Sequence, residues 1–110
     1  MIDLTSKPIK MAKHVIDRTR ERSRDKMSRR YPDISIINDI RHRAQGYALF
    51  TRKGKLEIRV FSRGLRQYRI VEEENCFVVL TMIQHNEESI VTAWNRSKGK
   101  KVTVGNLIEA

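Results

Sequence analysis

Residues 76–83 read CFVVLTMI and are nearly continuous in apolar side chains. A run of this length predicts a central β-strand that is covered on both faces. The runs Lys55–Phe61 and Leu65–Glu72 alternate apolar with charged residues, which predicts strands with one face partly open to solvent. Similar β-rich runs at Tyr47–Arg52 and Ser89–Trp94 extend the predicted sheet to four or five strands.

The turns between these runs are short. They are Lys53-Gly54, Ser62-Arg63-Gly64, Glu73-Glu74-Asn75 and Asn86-Glu87-Glu88. Because connections of this length cannot hold a crossover helix, we expect the strands to form an antiparallel meander. Residues 102–104, Val-Thr-Val, are a further candidate edge strand before a short tail.

Two amphipathic helices are predicted ahead of the sheet. A capping Ser6 and apolar residues at helical spacing predict the first helix over about residues 8–29. The second is expected over about residues 33–45, with Asp33 as its N-cap and Gly46 as its C-terminal cap. The predicted fold class is therefore α+β, with two N-terminal helices packed on one face of a four- to five-stranded antiparallel sheet.

Length and composition predict one folded domain over residues 1–110, with a basic tail over residues 95–110. The chain holds 23 Lys and Arg against 13 Asp and Glu, a net charge of +10. Such an excess attracts polyanions, so nucleic acid, and RNA in particular, is the expected partner. The alternatives are a basic surface kept for solubility, or one that binds an acidic protein such as an antitoxin or inhibitor.

Other sequence features bear on the compartment, the membrane association and the cofactors of the protein. Cys76 is the single cysteine, so no internal disulfide is expected and a reducing compartment is indicated. No apolar stretch approaches the length of a membrane span, and residues 1–13 lack the apolar region of a signal peptide. We therefore expect a cytoplasmic protein with no membrane partner. No zinc-ligand spacing and no glycine-rich phosphate loop are found, so no metal or other cofactor is expected.

One group of residues could carry chemistry. His14, Arg18 and Arg22 are spaced four apart, which places an imidazole and two guanidinium groups on one helix face. Arginine pairs its planar donors with phosphate oxygens, and histidine can give or take a proton near neutral pH. The alternative is that a basic helix contains such spacings without any catalytic role.

Residues 13–22, KHVIDRTRER, resemble the HxxxRxxxR helix that opens many small toxin ribonucleases. This group has the RelE, BrnT and colicin-type nuclease fold and includes phage relatives such as RegB. Its members have an N-terminal helical part followed by a four- or five-stranded antiparallel sheet, and the resemblance covers roughly residues 9–94. It implies metal-independent endoribonuclease activity, in which the ribose 2′-hydroxyl attacks phosphorus and leaves a 2′,3′-cyclic phosphate and a 5′-hydroxyl.

That reaction needs an acid, a base and fixed positive charge at the phosphate. His14 is the candidate acid or base, Arg18 and Arg22 the candidate phosphate clamp, and Arg69 a second positive group from the sheet. Thr92 matches the polar residue that the group often carries in its last strand, where it would contact substrate or orient the histidine. The expected RNA-binding residues are Arg22, Trp94, Arg96, Lys98, Lys100 and Lys101.

Simpler roles remain for these residues. Arg69 is also typical of a solvent-facing strand residue, Thr92 of an ordinary β-former and Trp94 of a core aromatic. No second catalytic histidine is evident, and a contribution from His42 or His85 is left open. Two functions are therefore considered. One is a toxin-type endoribonuclease acting on free or ribosome-bound RNA, and the other is a non-catalytic nucleic-acid-binding or host-interaction protein.

Overall fold

The computed structural model describes residues 3–98 and 104–105. Its elements in chain order are β1 (Ile9–Met11), α1 (Lys13–Arg22), α2 (Lys26–Arg30), α3 (Pro32–His42), β2 (Ala44–Arg52), β3 (Lys55–Ser62), β4 (Arg66–Glu72), β5 (Phe77–Gln84), α4 (Glu87–Lys98) and β6 (Val104–Gly105). The fold is α+β, as predicted. The prediction of two helices, both N-terminal, was wrong, because the described residues form four helices and α4 follows the long strands.

The sheet has six strands in the order β1-β5-β4-β3-β2-β6. Strands β2 to β5 form the predicted antiparallel meander, and β6 pairs antiparallel with β2 at one edge. At the other edge β1 pairs parallel with β5, so the prediction of a purely antiparallel sheet was wrong. The helices α1, α2 and α3 connect β1 to β2, which lies towards the other side of the sheet. The meander then runs back across the sheet, so that β5 lies beside β1 and runs in the same direction. Val104 lies in an edge strand, as predicted, while residues 102–103 lie outside the described residues.

The predicted first helix over residues 8–29 is three separate elements. Ile9 is buried and pairs with β5, so the segment before α1 is a strand. The α1 helix ends at Ser23, which has an extended backbone (ψ 134°). The carboxylate of Asp25 then accepts a hydrogen bond from the Ser28 backbone N–H at 2.8 Å and begins α2. This second N-cap divides the basic segment into two helices.

The α3 helix lies close to its predicted bounds of 33–45. Pro32 occupies its first turn, where a missing N–H costs nothing, so the helix starts before Asp33. Its C-cap is Arg43, and β2 begins directly afterwards. Gly46 therefore lies within β2 and is not the helix cap that the sequence predicted.

The predicted fifth strand over residues 89–94 is part of α4, and that prediction was wrong. Asn86 and Ser89 cap the helix reciprocally, because each side chain accepts a hydrogen bond from the other's backbone N–H, at 2.8 and 3.0 Å. The acidic residues Glu87 and Glu88 occupy the first turn, where their negative charges interact favourably with the positive end of the helix dipole. After Ser89, the partly or fully buried residues recur at helical spacing: Ile90, Ala93, Trp94 and Ser97.

The sheet is covered on both faces. Its near face packs against α1 and α3 and forms the main core, whose buried residues include Val15, Ile36, Ile40, Ile58, Val60, Tyr68, Ile70, Phe77, Val79 and Met82. Phe61 alternates with Val60 along β3 and so points to the far face. There the Trp94 ring of α4 packs edge-on against the Phe61 ring, with 4.9 Å between the ring centroids. The helices α1 and α3 therefore share one face of the sheet, as expected for the two N-terminal helices, whereas α4, which was not predicted, packs on the other. Within the described ranges, no helix is long and apolar enough to cross a membrane.

Candidate nucleic-acid interface

One face of α1 carries His14, Arg18 and Arg22, which we call the α1 stripe. All three side chains are exposed. The helix buries the neighbouring residues Val15 and Thr19, and the Thr19 hydroxyl donates to the Val15 carbonyl at 2.8 Å. Because an α-helix turns about 100° per residue, the stripe lies about a quarter turn around the helix from this buried line. A ligand can therefore reach the stripe while it lies along the body of the protein.

The surface around the α1 stripe is strongly basic. Residues 10–30 contain nine Lys and Arg and three Asp and Glu, and all nine basic side chains are exposed. We call this segment the basic surface. Arg29 Nη1 donates to the Arg24 carbonyl at 2.6 Å, which orders the turn between α1 and α2. A ligand with closely spaced negative charges would meet several of these cations at once.

A cleft of about 610 Å³ opens beside the basic surface. It lies between α2 and α3 on one side and the adjoining ends of β4 and β5 on the other. We call it the Arg66 cleft, and the residues that matter below are Tyr31, Ile34, Asn38, Asp39, Arg43, Arg66 and Gln84. Its lining combines cations, amides and carboxylates with exposed apolar side chains.

The floor of the Arg66 cleft is a buried polar group. The hydroxyl of Tyr68 donates to the carboxylate of Asp39, and both residues are buried. Burial, followed by the negative charge of Asp39, holds the pKa of Tyr68 far above its ordinary value, so the phenol keeps its proton. Arg66 Nε donates to Gln84 Oε1, and Arg66 Nη2 donates to Ser23 Oγ, each at 2.9 Å. The guanidinium is therefore held in place before any ligand arrives.

The rim of the Arg66 cleft is apolar and exposed. Met27, Tyr31 and Ile34 leave 65%, 42% and 53% of their surface in solvent. The Arg30 guanidinium lies 5.7 Å from the centre of the Tyr31 ring. Arg43 is exposed at the same cleft, where its backbone carbonyl also accepts from the Arg63 backbone N–H at 2.9 Å. Aromatic, aliphatic and cationic groups thus share one opening.

The cleft and the α1 stripe are joined through Ser23. This residue follows Arg22 directly and caps the C-terminal end of α1. Its hydroxyl accepts the hydrogen bond from Arg66 across the cleft floor. The α1 stripe and the Arg66 cleft are therefore adjacent.

Arg69 does not join the α1 stripe. It alternates along β4 with the core residues Tyr68 and Ile70, so it points to the far face while α1 packs on the near face. Its Nε and Nη2 lie 2.6 and 2.5 Å from one carboxylate oxygen of Glu57, which is buried. The sheet therefore separates Arg69 from His14, and a carboxylate already offsets its charge.

The predicted site residues near the C-terminal end lie on α4 or beyond it. The Thr92 hydroxyl donates to the Glu88 carbonyl within the helix at 3.2 Å, and Trp94 packs against Phe61. Both residues were predicted on a strand, which was wrong. Arg96 is exposed on the same helix, and Lys98 is its last residue. Lys100 and Lys101 lie outside the described residues.

The two remaining histidines lie away from α1. His42 is exposed in the last turn of α3. His85 is partly buried, with its Nε2 2.9 Å from Gln67 Oε1 and its Nδ1 2.9 Å from Ser89 Oγ. A neutral ring that donates from Nε2 and accepts at Nδ1 satisfies both contacts, and burial lowers the pKa of His85. His85 therefore links α4 to the far face of the sheet.

Sequence reasoning missed the Arg66 cleft. One signal was present, because Arg66 and Tyr68 are two residues apart and so share the buried face of a strand. A charged residue on such a face needs partners, which marks it as unusual. The sequence around Tyr31 indicates only the end of a helix, although its exposed ring stands at the junction of α2 and α3. The other lining residues come from elements that only the tertiary fold brings together.

In the part of the chain that the structure describes, no group of three or more His, Cys, Asp or Glu side chains is arranged to hold a metal ion. Comparison with protein-family models, with characterised proteins and with solved structures found no match to this chain.

Proposed function

We propose that this protein binds RNA and that the basic surface contacts the RNA phosphate backbone. The observation that carries the proposal is the exposure of all nine Lys and Arg of residues 10–30, with only three acidic residues among them. Contacts between such cations and phosphates supply the sequence-independent part of nucleic-acid affinity. RNA is chosen over DNA because residues 13–22 resemble the opening helix of toxin ribonucleases.

Arginine geometry supports phosphate as the ligand. Arg18 and Arg22 are exposed one helical turn apart on α1. Each guanidinium presents a planar set of donors that matches two phosphate oxygens. Among the described residues, neither forms an ion pair with an acidic side chain. Their donors are therefore available to an incoming backbone.

The first prediction tests this surface through the salt dependence of binding. Fluorescence anisotropy with a short labelled single-stranded RNA would be measured over a series of NaCl concentrations. We expect the double variant Arg18→Ala/Arg22→Ala to bind more weakly than the wild type. Its slope of log K against log salt should be smaller by about 0.7 for each phosphate that is no longer neutralised by a guanidinium.

A matched control removes two exposed cations elsewhere. Arg52 is the last residue of β2, and Lys53 follows it in the turn to β3; both are exposed. The variant Arg52→Ala/Lys53→Ala has the same net charge as the first double variant and is expected to keep the wild-type slope. If both double variants show the same decrease in slope, binding depends on total charge and not on α1. If the wild type binds no RNA, the proposal is wrong.

A second candidate function is metal-independent cleavage of the bound RNA. The observation that favours it is that His14 is exposed one helical turn from Arg18. A base would take the proton of the 2′-hydroxyl as its oxygen bonds to phosphorus, and an acid would protonate the leaving 5′-oxygen. His14 could perform one of these transfers, while Arg18 and Arg22 stabilise the charge on the phosphorane. Arg69 and Thr92 take no part, because they lie across the sheet from α1.

The second prediction separates cleavage from binding. Purified protein would be incubated with total RNA in EDTA, and new ends would be mapped for cyclic phosphate. If the protein cleaves RNA in this way, we expect His14→Ala to lower the rate by about 10²- to 10⁴-fold without weakening RNA binding. His42→Ala, which changes another exposed histidine, should cleave like the wild type. RNA that stays intact with every protein would refute cleavage of free RNA and leave the binding proposal unaffected.

A further inference from the structure

We infer that the Arg66 cleft receives one unpaired nucleotide of the RNA held by the basic surface. The base would enter the cleft against Tyr31, and its phosphate would lie at the rim beside Arg43. This inference rests on the proposed function and narrows its substrate to single-stranded RNA. The cleft volume of about 610 Å³ lies within the range of about 300–1,000 Å³ that is usual for small-molecule sites.

The apolar rim is suited to the face of a base. Met27, Tyr31 and Ile34 are large apolar side chains exposed together at one opening, within a surface that is otherwise basic. Exposed apolar groups that cluster in this way mark binding sites. Unpaired bases stack on aromatic rings and on guanidinium planes, and the Tyr31 ring with Arg30 beside it offers both.

The Tyr31 backbone is fixed before a ligand binds. Its N–H donates to the Met27 carbonyl at 2.8 Å, and its carbonyl accepts from the Ser35 N–H at 3.1 Å. These two bonds end α2 and begin α3 at the same residue. Ordering of the site on binding therefore costs little backbone entropy.

The cleft floor is suited to the edge of a base and not to a phosphate. The Asp39 carboxylate accepts hydrogen bonds and would repel an anion, whereas a base can present N–H donors to it. Arg66 donates to Gln84 and Ser23 and also interacts with the Tyr68 hydroxyl, and its five N–H groups still leave donors for a base carbonyl or ring nitrogen. Asn38, exposed in the same lining, adds an amide with both a donor and an acceptor. The phosphate is therefore assigned to Arg43 at the rim.

The Arg66 cleft cannot receive a base of duplex RNA. In double-stranded RNA the base faces are stacked and the pairing edges are occupied, so neither can enter a cleft. The basic surface can still contact the phosphates of a duplex. Single strands should therefore bind at both places, and duplexes at the basic surface alone.

The third prediction compares single-stranded and duplex RNA by fluorescence anisotropy. The probes are labelled oligouridine and the same strand annealed to oligoadenosine, at equal salt. We expect the wild type to bind the single strand more tightly by about fivefold or more. Tyr31→Leu should remove this difference by weakening single-strand binding alone, because it keeps apolar bulk but lacks an aromatic face. Tyr31→Phe, which keeps the ring, should bind like the wild type.

Two controls keep the test decisive. Val91→Ala removes an exposed apolar side chain of α4 and should leave both affinities unchanged. If Tyr31→Leu does not fold, as judged by circular dichroism, Ile34→Asn removes an exposed apolar side chain of the rim without changing the net charge and should also weaken single-strand binding alone. Equal binding of both RNAs by the wild type, or equal weakening of both by the folded cleft variant, would overturn the cleft inference while the basic surface stands. Failure of the wild type to bind either RNA would overturn both proposals.

Discussion

The residues of β4 show how one strand face serves both the core and the cleft. Tyr68 and Ile70 are fully buried, whereas Arg66 begins the strand and brings its guanidinium to the cleft floor. A carboxylate at Asp39 would be costly to bury without partners. The Tyr68 hydroxyl supplies a hydrogen bond, and the charge of Arg66 lies close enough to oppose the upward shift of the Tyr68 pKa. The polar floor is therefore stabilised internally and presents its unused groups to the cleft.

His85 gives a prediction about pH and stability. Folding lowers its pKa through burial, so the unfolded chain, with a His pKa of about 6.5, binds the proton more readily. The stabilisation is therefore complete above about pH 6.5 and is lost as the pH falls through the lower pKa of the folded state. We expect the free energy of unfolding, measured with urea, to decrease between about pH 7.5 and pH 5 in the wild type and to decrease less in His85→Gln.

When the same urea series is extended below about pH 4, the carboxylates give an internal check. Hydrogen bonds lower the pKa values of Asp3 and Asp25, so their contribution is present above the ordinary aspartate pKa and is lost at lower pH. This decrease in acid should appear in both proteins, since His85→Gln leaves the two aspartates unchanged. An identical decrease in both proteins above about pH 5 would mean that neutral His85 contributes nothing to stability.

At the level of elements, the meander and α3 could be predicted because their signals are local. Alternating or continuous apolar runs and short turns indicate β2 to β5, and Asp33 with the following apolar stripe indicates α3. The strand β1 could not be predicted in this way. Its residues Ile9 and Met11 also fit the helical spacing that continues into α1, and only pairing with β5 selects a strand. Tertiary contacts thus decided between two patterns that the same residues satisfy.

The α4 helix shows the opposite balance of local and tertiary signals. Its β-branched residues Ile90, Val91 and Thr92 favour a strand by propensity. The cap formed by Asn86 and Ser89 favours a helix, and the packing of Trp94 on Phe61 holds that helix against the far face. The sequence therefore contains a helix-cap signal, but the same residues are also typical of a turn between strands.

The candidate site also has parts that the sequence predicts and parts that depend on the tertiary fold. The α1 stripe could be predicted, because its three residues belong to one helix and their shared face follows from spacing alone. Arg69 could not be excluded in advance, because its position across the sheet from α1 depends on which strand face the helices cover. The Arg66 cleft could not be predicted at all, since α2, α3, β4 and β5 contribute to it from distant parts of the chain. Sequence therefore reveals sites within an element better than sites between elements.

At the scale of the whole molecule, charge and size act together. The net charge is +10, and the molecule extends 37, 35 and 27 Å along its three principal axes. At about 10 mM salt the Debye length is about 30 Å, so nearly every charge interacts with every other. The free protein should then be destabilised by repulsion among its own cations, most strongly within residues 10–30. The charge on which the proposed RNA binding depends therefore opposes folding of the free protein.

This opposition gives the last prediction, in which salt has opposite effects on the free and the RNA-bound protein. We expect the melting temperature of the free protein to rise from about 10 mM to about 100 mM NaCl, because the Debye length falls to about 10 Å and the repulsion is screened. With excess oligouridine the increase in melting temperature caused by RNA should instead be largest at low salt, where binding is tightest. The variant Arg18→Ala/Arg22→Ala should show a smaller salt-dependent rise than Arg52→Ala/Lys53→Ala, because only the first removes cations from residues 10–30. A free protein whose melting temperature falls with NaCl over this range would contradict the idea that the basic surface is under repulsion, and the cations would then have to be balanced within the fold.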